Sequence, residues 1–167
     1  MIDEPVQPPD VAHLPDGVRR MLTAARSLGL AVEVRPRPPA RSLEEAAAVL
    51  GITPADIAKT LVLRRSGQAY LYAVIPGDTQ LAWPRLRSVL GVNKLRLPDA
   101  EDARTATGYE RGTITPVGAH GGWPVYLDSR LVGHRVAMGS GAHGFSAFLE
   151  VDDLVRALGA TVADIAA

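Results

Sequence analysis

Residues 59–63 and 69–75 form two β-rich runs separated by a turn at Ser66-Gly67, and that pair constrains the chain more than any other feature. So short a link joins antiparallel neighbours, because a parallel pair needs a crossover of a dozen residues or more. The hairpin sits among helical segments. From Asp16, apolar residues recur at Val18, Met21, Leu22, Ala25 and Leu28, which is the spacing of one helix face, and Gly29 ends the run. Ser42 with Glu45 three residues on is a capping-box pattern, opening a helix that reaches Gly51. Residues 83–90 read as a helix with Pro84 allowed in its first turn, and residues 99–106 as a short one. A last helix opens at Asp152 or Asp153 and runs to Leu158, before Gly159, and Thr161 caps a final short turn. Strands are expected over residues 31–35 (at a sheet edge), 95–97, 125–127, 135–138 and 145–151. Hairpins with interspersed helices, rather than a regular βαβ alternation, place the chain in the α+β class.

With 167 residues, 47% of them hydrophobic, the chain has material for one core and too little for two comfortable domains. Residues 1–10 carry acids and prolines and lack the basic and apolar regions of a signal peptide. They are expected to be a flexible leader, with a single domain over residues 11–167. No run is long and apolar enough to span a membrane, and a cytoplasmic protein is expected. Acids and bases number 18 each, which argues against an acidic tail, a basic arm or general disorder. Cysteine is absent, so disulfides, thiolate metal sites and a cysteine nucleophile are excluded. Only Lys59 and Lys94 are lysines, against sixteen arginines. A lysine kept against such a bias points to a need for a compact ammonium, which arginine cannot supply; for Lys94 alone, chance suffices.

Gly139-Ser140-Gly141-Ala142-His143-Gly144 matches the G-x-G-x-x-G dinucleotide pattern. That motif needs a helix after it to carry the pyrophosphate, and the residues that follow look like a strand. The nucleotide reading is rejected in favour of a tight turn, structural or with its amides facing a ligand. Residues 107–116 combine Gly108 and Gly112, which allow close backbone approach, with Tyr109 between them and with Thr113 and Thr115 before Pro116. This is a candidate binding loop. Lys59 stands at the entrance to an apolar strand, and Asp128 at a strand end, where most aspartates cap turns. The four histidines lack zinc-site spacing and no G-x-S-x-G elbow is present. Neither a metal nor a cofactor is expected.

Taken in order, Leu50-Gly51-Ile52, residues 57–61, 86–95, 107–116 and 125–128, Gly139-Ser140-Gly141, and residues 153–165 resemble the YbaK family, which includes the editing domain of bacterial prolyl-tRNA synthetases. The resemblance runs from Ser42 to the C-terminus. It implies a curved mixed β-sheet with flanking helices, and a pocket for the aminoacylated CCA end of tRNA. It further implies hydrolysis of the ester of mischarged tRNA, tRNA-Pro carrying a small non-cognate amino acid, with prolyl-tRNA synthetase as a possible partner. Lys59 matches the family's essential lysine, residues 112–116 its G-x-x-x-P loop, and Ser140 and Gly141 the small residues of a second pocket wall. Thr113, His143 and Ser146 depart from the glycine, arginine and acid common in the cysteinyl-tRNA-hydrolysing branch, so the amino acid removed stays open. Thr60, Gly108, Tyr109, Thr113, Thr115, Pro116, Asp128, His143 and Ser146 complete the expected binding set.

An aminoacyl ester is already activated, so positioning a water or the ribose hydroxyl and stabilising an oxyanion could suffice. The Gly112 loop is expected to offer amides to the carbonyl oxygen, and Lys59 to bind the terminal phosphate or polarise the ester. Arg64, Arg65, Arg85 and Arg87 are candidates for a local basic patch. A turn histidine facing solvent is the expectation for His143. The alternative from a different class is a non-catalytic module that binds tRNA ends or a synthetase.

Overall fold

The computed structural model describes residues 11–167; the expected leader, residues 1–10, lies outside the described residues. Five helices, α1 (Asp16–Ser27), α2 (Leu43–Leu50), α3 (Trp83–Leu90), α4 (Ala100–Thr107) and α5 (Val151–Leu158), alternate irregularly with seven strands. The strands are β1 (Glu33–Pro36), β2 (Ala58–Arg64), β3 (Tyr70–Pro76), β4 (Val125–Asp128), β5 (Arg135–Met138), β6 (Phe145–Glu150) and β7 (Thr161–Ala163). The class is α+β, as the hairpin and its flanking helices imply. No helix among the described residues is long and apolar enough to cross a membrane.

The strands form two sheets. One is antiparallel, in the order β1-β6-β5; the other is mixed, in the order β2-β3-β4-β7. In the mixed sheet β2 and β3 are the expected hairpin, while β4 and β7 add in parallel. A single parallel bridge between Ile57 and Ala137 joins the sheets. All seven residues of β3 are buried, because apolar clusters cover both its faces. Tyr70, Tyr72 and Val74 face the larger cluster, shared with α1, α4, α5 and the antiparallel sheet. Leu71, Ala73 and Ile75 face a smaller one formed with Leu86 of α3 and Ile165 near the C-terminus. This accounts for the near-continuous apolar run of β3, which a half-exposed strand would interrupt.

The helix caps follow the sequence closely. Ser42 Oγ accepts the Glu45 N–H at 3.0 Å, and Asp99 Oδ1 accepts the Asp102 N–H at 2.7 Å. Glu45 completes the capping box one residue early, accepting from the Arg41 N–H. Three expectations are corrected. Residues 95–97 are not a strand: Arg96 makes one bridge to Arg64. The last helix begins at Val151, directly after β6. Asp152 does not cap it; its carboxylate accepts from the Gly133 N–H at 2.9 Å and so fixes the turn before β5. Residues 161–163 are a strand, not a capped turn, with Leu127 paired to Val162. Three residues are too few to display an alternation, and their conformation is imposed by β4.

Asp128 explains how the C-terminus stays in place. Its side chain is fully buried, and its Oδ2 accepts from the main-chain N–H groups of Ile165 (2.9 Å) and Ala166 (3.0 Å). Oδ1 accepts from the Arg130 N–H at 3.0 Å. The Arg130 guanidinium lies 3.4 Å from the same carboxylate and donates to Ala166 O. Replacing Asp128 with alanine would strand these buried donors, and should lower the unfolding free energy by about 3 kcal/mol. Urea denaturation of wild type and Asp128→Ala would measure it; an unchanged midpoint would show that the tail is not held this way.

Candidate active site

Strand β2 lies at the edge of its sheet, and its main-chain pattern creates the site. The Arg64 N–H donates outward to Arg96 O at 2.8 Å, whereas the Arg65 N–H donates inward to Ala69 O. Antiparallel pairing alternates with period two. The N–H and C=O groups of Val62 and Thr60 therefore also point away from β3. With the bridges at Ile57–Ala137 and Arg64–Arg96 closing its two ends, the edge between them is left open.

That opening is the wall of a cleft of about 420 Å³, lined by residues 58–62 on one side and residues 137–140 and 111–114 on the other. Arg37, Ala142, His143, Phe145 and Ser146 close a further side. The second wall is held by short main-chain contacts. The Gly141 N–H donates to Thr113 O at 2.9 Å, tying the glycine-rich turn to the 112–116 loop. A Cβ on Gly139 would lie 2.3 Å from Ile114 O, so only glycine lets the turn approach the loop this closely. The turn thus uses its glycines for packing between two loops, and a strand follows it, as the rejection of a dinucleotide motif requires.

The structure brings Lys59, Thr60, Gly112, Thr113, Ser140, His143 and Ser146 to this cleft. Lys59 Nζ donates to Thr79 O at 2.6 Å, which engages one of its three protons and tethers the ammonium to the turn after β3. Thr60 Oγ1 is buried and has no hydrogen-bond partner. Within the loop the Thr113 N–H is taken by Glu110 O, whereas the N–H groups of Gly112 and Ile114, like those of Arg111 and Thr115, have no partner among the described residues. Ser140 Oγ lies 3.0 Å from both Ala142 O and Phe145 O, where it staples the turn. His143 is largely exposed, with Nε2 3.8 Å from Glu110 Oε2. Among the described residues no aspartate or glutamate lines the cleft.

Six residues expected in the binding set lie elsewhere. Gly108, Tyr109 and Gly141 line a second cavity of about 520 Å³, behind a wall of Thr113, Ala142 and His143 shared with the first. Tyr109 is buried there because its ring stacks under the Arg20 guanidinium at 4.2 Å and its hydroxyl donates to Val117 O at 2.7 Å. Burial pushes the Tyr109 phenol up, against the pull of Arg20, and it pushes Tyr72 up as well. Both stay protonated through neutral pH, so neither serves as a base. Thr115 and Pro116 are buried and line neither cavity; the Thr115 hydroxyl accepts from the Val117 N–H. Asp128 is engaged with the C-terminal tail. Two members of the expected basic patch are also occupied: Arg64 faces Asp102 at 3.6 Å and Arg85 faces Asp164 at 3.0 Å. Arg37 lines the cleft without any signal in the sequence, where Pro36-Arg37-Pro38-Pro39 reads only as a stiff connection.

An open strand edge, a loop with unpartnered amides and a lining that, among the described residues, bears cations and no acids have the chemistry to suit a small polar or anionic ligand. The chain belongs to the aminoacyl-tRNA editing domain family, whose model matches residues 37–157. A proline–tRNA ligase of Nitratidesulfovibrio vulgaris is 35% identical over 98 residues, 59% of this chain and 17% of the ligase. A candidate Cys-tRNA(Pro)/Cys-tRNA(Cys) deacylase of Enterococcus faecalis is 36% identical over 86 residues, 52% of each chain. The matched segments thus span about half, or much less, of these relatives. Among solved structures, a candidate trans-editing enzyme for prolyl tRNA synthetase superposes with a TM-score of 0.83 at 28% identity, covering 91% of this chain and 98% of that one. Substituting Tyr109 by phenylalanine should cost about 1 kcal/mol of stability through the lost bond to Val117. Chemical denaturation would detect this, and a loss of several kcal/mol would mean the hydroxyl does more than hold the loop.

Proposed function

We propose that the chain is a trans-editing hydrolase that deacylates mischarged aminoacyl-tRNA, with tRNA-Pro carrying a small amino acid as the substrate. The observation that carries this reading is the cleft itself. It sets Lys59 and an unpartnered threonine hydroxyl beside a loop with unpartnered amides, those of Gly112 and Ile114 among them, in a chain of the editing family.

The reaction needs little from the protein. A water oxygen attacks the ester carbonyl carbon, the C–O bond to the ribose breaks, and the ribose oxygen leaves with a proton. Negative charge develops on the carbonyl oxygen, and main-chain donors fixed beforehand stabilise it without reorganising. The amides of Gly112 and Ile114 are suited to that role. Lys59 can keep its bond to Thr79 O and still direct a second proton at the ester. Thr60 Oγ1 supplies a hydroxyl that orients the water or the vicinal ribose hydroxyl. A lining without acids among the described residues suits an RNA end, and the neutral overall charge suits recognition limited to that end, with a synthetase supplying further affinity.

The test is deacylation of tRNA-Pro charged separately with alanine, cysteine, serine and proline. One small amino acid should be released with proline spared. Lys59→Ala should slow release by about 10²–10³, the usual effect of losing one preorganised donor. Wild-type rates in that variant would remove Lys59 from the mechanism. Absence of release from every charged tRNA-Pro would overturn the assignment of this substrate.

A further inference from the structure

We propose that Arg37 is the seat of the 5′ phosphate of the nucleotide that bears the amino acid. The inference rests on the deacylase reading above and adds to it the group that anchors the substrate.

Among the described residues the cleft carries three permanent cations, Arg37, Lys59 and Arg111, and no acid. Lys59 is tethered to Thr79 O, and Arg111 is on the exposed part of the loop. Arg37 differs from both. Its Nε is buried with no acceptor, and its side chain makes no ion pair or hydrogen bond among the described residues. A buried guanidinium N–H left unsatisfied costs about 1–3 kcal/mol, and folded proteins rarely leave one without a reason. Of the four buried side-chain polar atoms without partners among the described residues, two belong to the cleft: Arg37 Nε and Thr60 Oγ1.

The position of Arg37 is fixed in advance. Pro36 pairs with Phe145 at the end of β1, and the Arg37 N–H donates to Gly144 O at 2.8 Å. Pro38 and Pro39 follow, so three of four consecutive residues have φ set by their rings. Little backbone entropy remains to be lost when an anion binds, which is the condition for a preorganised anchor. A planar guanidinium fork suits carboxylate and phosphate alike. In an aminoacyl ester the carboxyl group is consumed and the α-amino group is cationic. The anion nearest the ester is then the phosphodiester 5′ of the terminal adenosine. Placing it on Arg37 leaves Lys59 for the ester.

Binding of 5′-AMP, adenosine and inorganic phosphate, followed by NMR titration without any aminoacyl substrate, tests this independently of catalysis. Wild type should bind 5′-AMP about tenfold more tightly than adenosine, and inorganic phosphate more weakly than 5′-AMP. Arg37→Gln should abolish the preference, and Arg37→Lys, which keeps charge but not the fork, should retain part of it. Both variants should keep the wild-type thermal midpoint. Equal binding of 5′-AMP and adenosine by wild type, or a preference that survives in Arg37→Gln, would overturn the proposal. So would inorganic phosphate as tight as 5′-AMP, or a lowered midpoint that makes Arg37 a structural residue. Failed deacylation with an intact, Arg37-dependent preference for 5′-AMP would count against the deacylase reading alone.

Discussion

The open edge of β2 is the constraint on which the rest of the site depends. A strand edge buried in protein leaves main-chain donors and acceptors without partners, and proteins normally pair, cover or blunt such an edge. Here the edge is tied at one end by Ile57–Ala137 and at the other by Arg64–Arg96, and among the described residues the stretch between is not paired with another strand. The first bridge also joins the two sheets. Sheet junction and cleft are therefore neighbours: among the described residues the sheets, which also share a core, are joined through main-chain pairing only at this bridge, and the cleft opens beside it. If the pairing of β2 with β5 continued past Ala137, the cleft would be closed by the sheet itself.

The opposite wall is built by a different means. It has no ladder of its own and gains rigidity from close approach: Gly139 lies against the Ile114 carbonyl, and Gly141 against Gly17 at the start of α1. Arg20 of α1 then donates to Gly108 O and covers the Tyr109 ring. Helix α1, the 107–118 loop and the glycine-rich turn thus form one block. The amides of Gly112 and Ile114 owe their placement to contacts outside the cleft. Residues such as Tyr109 matter to the site through that block, without touching what the cleft contains.

This division explains what could be read in the sequence. The hairpin, α1 and the caps at Ser42 and Asp99 are specified locally, by periodicity and by side chains that bond a main chain three residues away. Strand β7 and the single bridge at Arg96 are specified by partners distant in the chain, and short segments carry no period of their own. Among the site residues, Lys59, Thr60 and the Gly112 loop are legible because resemblance marks them and the fold brings them together. Asp128, Thr115 and Tyr109 stand beside those marks in sequence, yet their bonds run to the C-terminal tail and within the loop. Polar residues in a marked segment can serve the segment and not the ligand. Arg37 was hidden for the opposite reason: its neighbours are prolines, which advertise stiffness and say nothing of what the stiff segment presents.

Net charge gives little guidance to a site of this kind, because local pairing decides which charges are available. Eighteen acids balance eighteen bases, but they are unevenly employed. Arg64, Arg85 and Arg130 face Asp102, Asp164 and Asp128, and Arg35 and Arg135 are likewise balanced on the surface by Glu33 and Glu150. Paired charges contribute little field at a distance in salt solution. Among the described residues the lining of the cleft has cations and no acids, the nearby Glu110 facing His143 at its rim, so its potential is only partly offset, and low-dielectric walls concentrate it. A neutral protein can in this way present a positive interior to a single anionic group while offering no continuous basic face to a long polyanion. Recognition is then confined to an end, where the reacting ester of the proposed substrate is found.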